Sequence, residues 1–160
     1  MLKLQFFISF ILFGFLVSNN QNFSTTKSPT QSRVVSGDTL SWKLLGQIKY
    51  FKKPHKEYGE VDFPIINTTV KKLDKKKIYM SGFIVPIDNK NYALSKNVFA
   101  SCFFCGKAGP ETIMGIHFKG ILPKLKTDQY VTIEGTLRLN DNNVEDWIYN
   151  VDDVKIIKGN

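Results

Sequence analysis

Apolar and polar residues alternate strictly from Val131 to Leu139. Val131, Ile133, Gly135, Leu137 and Leu139 share one parity; Thr132, Glu134, Thr136 and Arg138 share the other. A period of two is that of a strand with one buried face. Residues 77–87, KIYMSGFIVPI, form a longer β-branched and aromatic run. Asp88-Asn89-Lys90 then supplies turn chemistry before a partner strand over 91–95. Residues 111–119, ETIMGIHFK, read as a third strand. The polar cluster Asn140-Asp141-Asn142-Asn143 separates the 130–139 strand from a last one over 146–157, with a bend or bulge expected near Asp152-Asp153.

Upstream the pattern is weaker. Asp38 is a candidate cap for a short helix holding Leu40, Trp42, Leu44 and Leu45, which Gly46 ends. Ile48 to Phe51 reads as a strand, Lys52 to Asp62 as a polar excursion, and Phe63 to Ile66 as an apolar segment across one end of the core. Five strands with few helical patterns predict a mostly β chain. The expected architecture is a small antiparallel five-stranded OB-like barrel with a short N-terminal helix; a β-sandwich is the alternative. The central Gly82 suits a long strand bending around a barrel corner. Neither fold implies a function.

The first residues carry a different signal. Lys3 precedes an apolar run from Leu4 to Val17, and Ser18-Asn19-Asn20-Gln21 follows it. That order predicts a signal peptide over 1–18, and the run is shorter than the ~20 residues a membrane span needs. Residues 19–37 are polar and read as a flexible linker, leaving 38–160 as one β-barrel domain. The expected location is periplasmic or secreted, with no stable membrane insertion once the leader is cut.

Composition changes meaning in that light. The chain of 160 residues has a formal charge of +8, which invites a nucleic-acid reading. Export argues against that partner. So does the make-up of the charge, which is 20 Lys and two Arg (Arg33 and Arg138), because Arg is the preferred reader of phosphates and bases. Trp42 to Lys126 holds 16 lysines and six acids, whereas Thr127 to Asn160 holds three basic residues and seven acids. The expectation is a solvated basic half beside an acidic end, and no nucleic acid.

The candidate chemistry is one loop, Ser101-Cys102-Phe103-Phe104-Cys105-Gly106, which contains both cysteines of the chain. Two thiols at this spacing can chelate a soft metal or close a short disulfide, and both readings stand. A Cys-x-x-Cys-Gly turn resembles half of a zinc knuckle, with the glycine permitting the tight turn. Zinc or another transition metal would then be held by Cys102, Cys105 and His117. His117 has opposite parity to Met114, Ile116 and Phe118, so it faces away from the core if they face in. Glu111 is a possible oxygen ligand, and His55 is expected to be merely exposed. A thioredoxin-like role is disfavoured, because Gly106 to Pro110 is a poor helix start. Phe103 and Phe104 are expected to plug the barrel end or meet a partner. No G-x-S-x-G, Walker loop or H-E-x-x-H occurs, and the expectation is not an enzyme.

The segments SGFIVPID, NYALSKN, SCFFCGKAGPE and VTIEGTLRLN together resemble a family of small exported bacterial proteins of unknown function. Its members join a Gly-(Tyr/Phe)-(Ile/Met)-(Ile/Val)-Pro strand, here Gly82 to Pro86, to a C-F-F-C-G-x-x-x-P-E loop, here Cys102 to Glu111. The similarity spans about Trp42 to Ile157, and the cysteine loop is its most specific part. The resemblance implies a place beside metal-uptake or export systems of the envelope, and a metal role for Cys102 and Cys105. Many relatives carry a lipoprotein cysteine after the leader, which this sequence lacks. The expected function is therefore an exported accessory binding protein of the bacterial envelope whose Cys-x-x-Cys loop binds a metal such as zinc. Its partner would be an envelope protein or a metal-transport system. The alternative is a non-enzymatic protein-interaction module with a structural Cys102–Cys105 disulfide.

Overall fold

The computed structural model describes residues 40–106 and 108–159. The expected leader over 1–18, the linker over 19–37 and the Asp38 cap lie outside these residues. Helix α1 (Trp42–Leu45) is capped by Ser41, whose hydroxyl accepts the Leu44 N–H at 3.3 Å, and Gly46 ends it. One turn of helix has little stability of its own. It is held by its side chains: Leu45 is fully buried, and the Trp42 indole N–H donates to the Ser81 carbonyl at 2.8 Å.

Strands β1 (Lys49–His55) and β2 (Gly59–Ile65) pair antiparallel as a two-stranded sheet. The polar excursion expected over 52–62 is therefore a hairpin. Its strands are polar because they are largely exposed; Phe63 is their one buried residue. Gly59, at φ 72°, supplies the left-handed residue of the turn. The His55 Nδ1 accepts the N–H groups of Glu57 and Tyr58 at 3.2 and 3.4 Å, so His55 braces the turn rather than merely standing in solvent. A second short helix, α2 (Thr68–Lys71), is capped by Asn67 and buries Val70.

Five strands follow: β3 (Lys77–Pro86), β4 (Tyr92–Ser95), β5 (Ile113–Phe118), β6 (Tyr130–Leu139) and β7 (Tyr149–Gly159). They close into a barrel in the order β3-β4-β5-β7-β6, an OB-like arrangement. The expected barrel is thus present, with one correction. Four of the pairings are antiparallel, but β5 and β7 run parallel. The reason is arithmetic: a ring with an odd number of strands cannot alternate direction all the way round.

The alternation read along β6 is the burial pattern observed. Val131, Ile133, Gly135 and Leu137 point inward and are buried, and the residues between them are partly exposed. The bulge expected near Asp152-Asp153 is present too. The β6–β7 register shifts between Glu134 and Thr136, and Asp153 adopts φ 55° opposite that shift. Gly82 lies where β3 crosses β4; a Cβ there would stand 2.6 Å from the Ser95 carbonyl oxygen and 3.2 Å from the Trp42 ring. Among the described residues no helix is long and apolar enough to cross a membrane.

The strands have two buried faces. On the inner face Ile84, Leu94 and Met114 are cross-strand neighbours and belong to the main core. One residue along, on the outer face, Val85, Ala93 and Ile113 form a second, smaller core covered by Phe103 and Trp147. The loops that supply this cover position the candidate site.

Candidate functional site

The loop between β4 and β5 is closed at its base by the Lys96 N–H bonded to the Thr112 carbonyl at 2.9 Å. Three short 3-10 turns fill it: Phe99–Ser101, Phe103–Cys105 and Pro110–Thr112. The Phe99 N–H donates to the Asp128 carboxylate at 2.7 Å, which ties the loop to the chain before β6. Gly106, at φ 66°, ends the middle turn, the conformation for which a glycine was expected there.

The two cysteines are placed very differently. Cys102 is fully buried and Cys105 is exposed, and both are free thiols. The Cys105 thiol donates to the Phe99 carbonyl at 3.2 Å. In a zinc knuckle the backbone N–H groups would face the sulfurs. Here the N–H groups of Cys102, Cys105 and Gly106 bond to the carbonyls of Phe99, Cys102 and Phe103. Phe103 does not plug the barrel end. It packs on the outer core of Val85, Ala93 and Ile113. Phe104 meets Phe103 edge-on at 5.9 Å and Trp147 at 5.8 Å, and remains 47 % exposed.

His117 faces outward from β5, as its parity predicted, and is exposed. Its Nε2 lies 3.0 Å from the Asn150 side-chain oxygen. The Asn150 amide nitrogen donates to the Trp147 carbonyl at 2.9 Å, so its oxygen faces His117, and the Arg138 Nη2 lies 3.5 Å from the same imidazole nitrogen. Among the described residues no group of three or more His, Cys, Asp or Glu side chains is placed to hold a metal. Cys102 and Cys105 sit on one loop, and His117 is engaged in a separate network. Two thiols alone fall short of the three or four protein ligands zinc takes. Glu111 accepts a hydrogen bond from the Tyr50 hydroxyl at 3.2 Å. Burial first, and then the Glu111 charge, push the Tyr50 and Tyr149 hydroxyls well above the usual phenol range, so both are neutral donors.

The network around His117 was not visible as a unit in the sequence. Gly115, Asn150 and Arg138 are cross-strand neighbours on the outer face. A Cβ at Gly115 would run into the Trp147 indole and the Asn150 carboxamide. Arg138 donates to Asp146 at 2.8 Å and to Asp152 at 2.9 Å. Burial pushes the Asp146 carboxyl up, but the hydrogen bonds from Arg138 and the Trp147 N–H outweigh it and hold the group below the usual carboxylate range. The acidic end is thus partly a folded ion-pair network. A glycine at an outward position of β5 was the one signal that something large lies on it.

Beside this network is a cavity of about 430 Å³. Three remote segments enclose it: Tyr50 and Val61–Pro64 from the hairpin, Phe103 and Pro110 from the cysteine loop, and the 140–148 turn between β6 and β7. The Tyr58 hydroxyl donates to Glu145 at 2.6 Å and links the hairpin to that turn. No family model, no curated protein and no solved structure matches the chain.

Proposed function

We propose that the chain is a non-enzymatic accessory binding protein of the bacterial envelope, exported by its leader, that binds through the cavity between the hairpin, the cysteine loop and the 140–148 turn. One observation carries this reading. Segments some 30 to 100 residues apart converge to wall a single cavity of about 430 Å³, within the roughly 300–1,000 Å³ of small-molecule sites. In this reading the cysteine loop is a wall of the site, fixed by Phe103 on the outer core and by Phe104 on Trp147. Cys105 is then an exposed thiol on the loop that forms this wall, open to solvent or to a partner.

The test is to express the full chain with a C-terminal tag in a bacterium with two membranes, and to fractionate the cells. The mature protein is expected outside the cytoplasm, with two free thiols, no bound metal and no turnover as a disulfide reductase. Cytoplasmic retention, or turnover that Cys102→Ser abolishes, would overturn the proposal. Stoichiometric zinc lost in Cys102→Ser would move the binding role from the cavity to the cysteines.

A further inference from the structure

The cavity's lining has a sign opposite to that of the chain. The whole protein is strongly basic, at +8, yet Asp62, Asp141, Glu145 and Asp146 all line this cavity. Among the described residues no lysine, arginine or histidine lines it. Its walls are also aromatic: Tyr50, Phe63, Phe103 and Trp147 contribute. A π face attracts a cation through its quadrupole, and the attraction grows when water is excluded. The protein itself supplies an example, with the Lys53 ammonium 5.4 Å from the centre of the Phe63 ring.

Not all four carboxylates are equally available. Asp146 is committed to Arg138 and to the Trp147 N–H. Asp141 lies 3.6 Å from the Lys71 ammonium. Among the described residues Glu145 accepts the neutral Tyr58 hydroxyl and no cation, and that bond leaves its charge unbalanced. Asp62 stands on β2 and adds to the negative field felt by the Tyr50 hydroxyl. Lys52 stands opposite Asp62 in the β1–β2 register but pairs with Glu60 at 3.7 Å, so among the described residues Asp62 and Glu145 are the lining carboxylates with no ion-pair partner within 4 Å.

We infer that the cavity takes a small organic cation, an ammonium group carried on an apolar or aromatic body. The apolar body fits against Phe103, Trp147 and Val61, and the ammonium group faces Asp62 and Glu145. This deepens the proposed binding role and rests on it.

Three probes with one body and different charge test it: 2-phenylethylammonium, 2-phenylethanol and phenylacetate. Each is titrated into the folded protein while the Trp147 indole N–H is followed by NMR. The cation should shift that signal saturably, with an affinity about tenfold above that of the neutral alcohol, and the anion should not bind. The double variant Asp62→Asn, Glu145→Gln changes side chains on exposed residues and should keep the fold. It should bring the affinity for the cation down about tenfold, to that of the alcohol, whose own affinity is unchanged. Equal affinity for cation and alcohol would overturn the cation inference while leaving the cavity a binding site. Absence of a saturable shift with all three probes would overturn both.

Discussion

Strands β3, β4 and β5 bury both of their faces, by unlike means. The inner face is covered by the same sheet closing on itself. Ile84, Leu94 and Met114 meet Ile133, Leu137 and Val151 across the barrel core, and all are almost fully excluded from solvent. The outer face is covered by loops. Val85, Ala93 and Ile113 are just as buried, but their cover is Phe103 from one loop and Trp147 from another, both only partly buried themselves. The inner core follows once the strands pair in register. The outer one forms only if two loops, more than 40 residues apart in the chain, settle on the same patch. This makes the outer core the conditional half of the structure, and the candidate site is built on it.

The largest effect is expected from the inner face. Ile133→Ala empties a fully buried position in the closed barrel and should destabilise the fold by about 2–5 kcal/mol, read from the urea midpoint. A smaller loss would mean that the barrel relaxes around the hole, and the contrast between the faces would weaken. Gly115→Val attacks the outer face from beneath, because its side chain would displace Trp147 and Asn150. The expected cost is about 1–3 kcal/mol. The tryptophan emission should shift while the far-ultraviolet dichroism of the barrel stays unchanged. Phe103→Ala should cost about 1–2 kcal/mol, less than a fully buried phenylalanine, since Phe103 is only half buried. Cys102 beside it is buried in the loop that Phe103 anchors on the outer core, so its reaction with a thiol reagent should be slow in the wild type and faster once that anchor is lost.

Two titrations sharpen the same contrast with smaller effects. Tyr149 belongs to the inner core, and its hydroxyl donates to the Leu45 carbonyl at 3.0 Å. Burial raises its folded pKa, so the stability it contributes is complete below the unfolded value of about 10 and is lost as pH rises beyond it. Tyr149→Phe should cost about 1 kcal/mol at neutral pH through the lost hydrogen bond, and should flatten the alkaline limb of the stability curve. Asp146 belongs to the outer network and has the opposite sign. Its pKa is depressed, so its contribution is present above the unfolded value of about 3.9 and fades as pH falls below it. Arg138→Ala should remove much of that acid dependence for about 0.5–1 kcal/mol, a modest figure because the pair is partly exposed. Thermal melts between pH 2 and pH 7 on both proteins read this out; parallel curves would detach Asp146 from Arg138.

The barrel was legible where alternation was long. The bounds of β6 are those its pattern gives, and the bulge at Asp153 follows from a pair of acids interrupting the apolar parity. The hairpin over 49–65 was legible only in its first strand. An exposed two-stranded sheet needs no alternation, since neither face is committed to a core. The outward direction of His117 was legible from parity, but its partner was not, because Asn150 is brought beside it by strand order rather than by spacing. The parallel β5–β7 pair was hidden for the same reason.

The sequence by itself determined which residues face into the barrel, where the strands break, and that two cysteines share one glycine-ended loop. These are local properties, set by the two-residue period of a strand and the dihedral freedom of individual residues. Only the tertiary structure decided that one cysteine is buried and the other exposed, that Trp147 lies on Gly115, and that a basic chain gathers four acids around an aromatic cavity. Each of those depends on segments meeting from distant parts of the chain. Burial and electrostatic field are properties of that meeting, and no residue carries them alone.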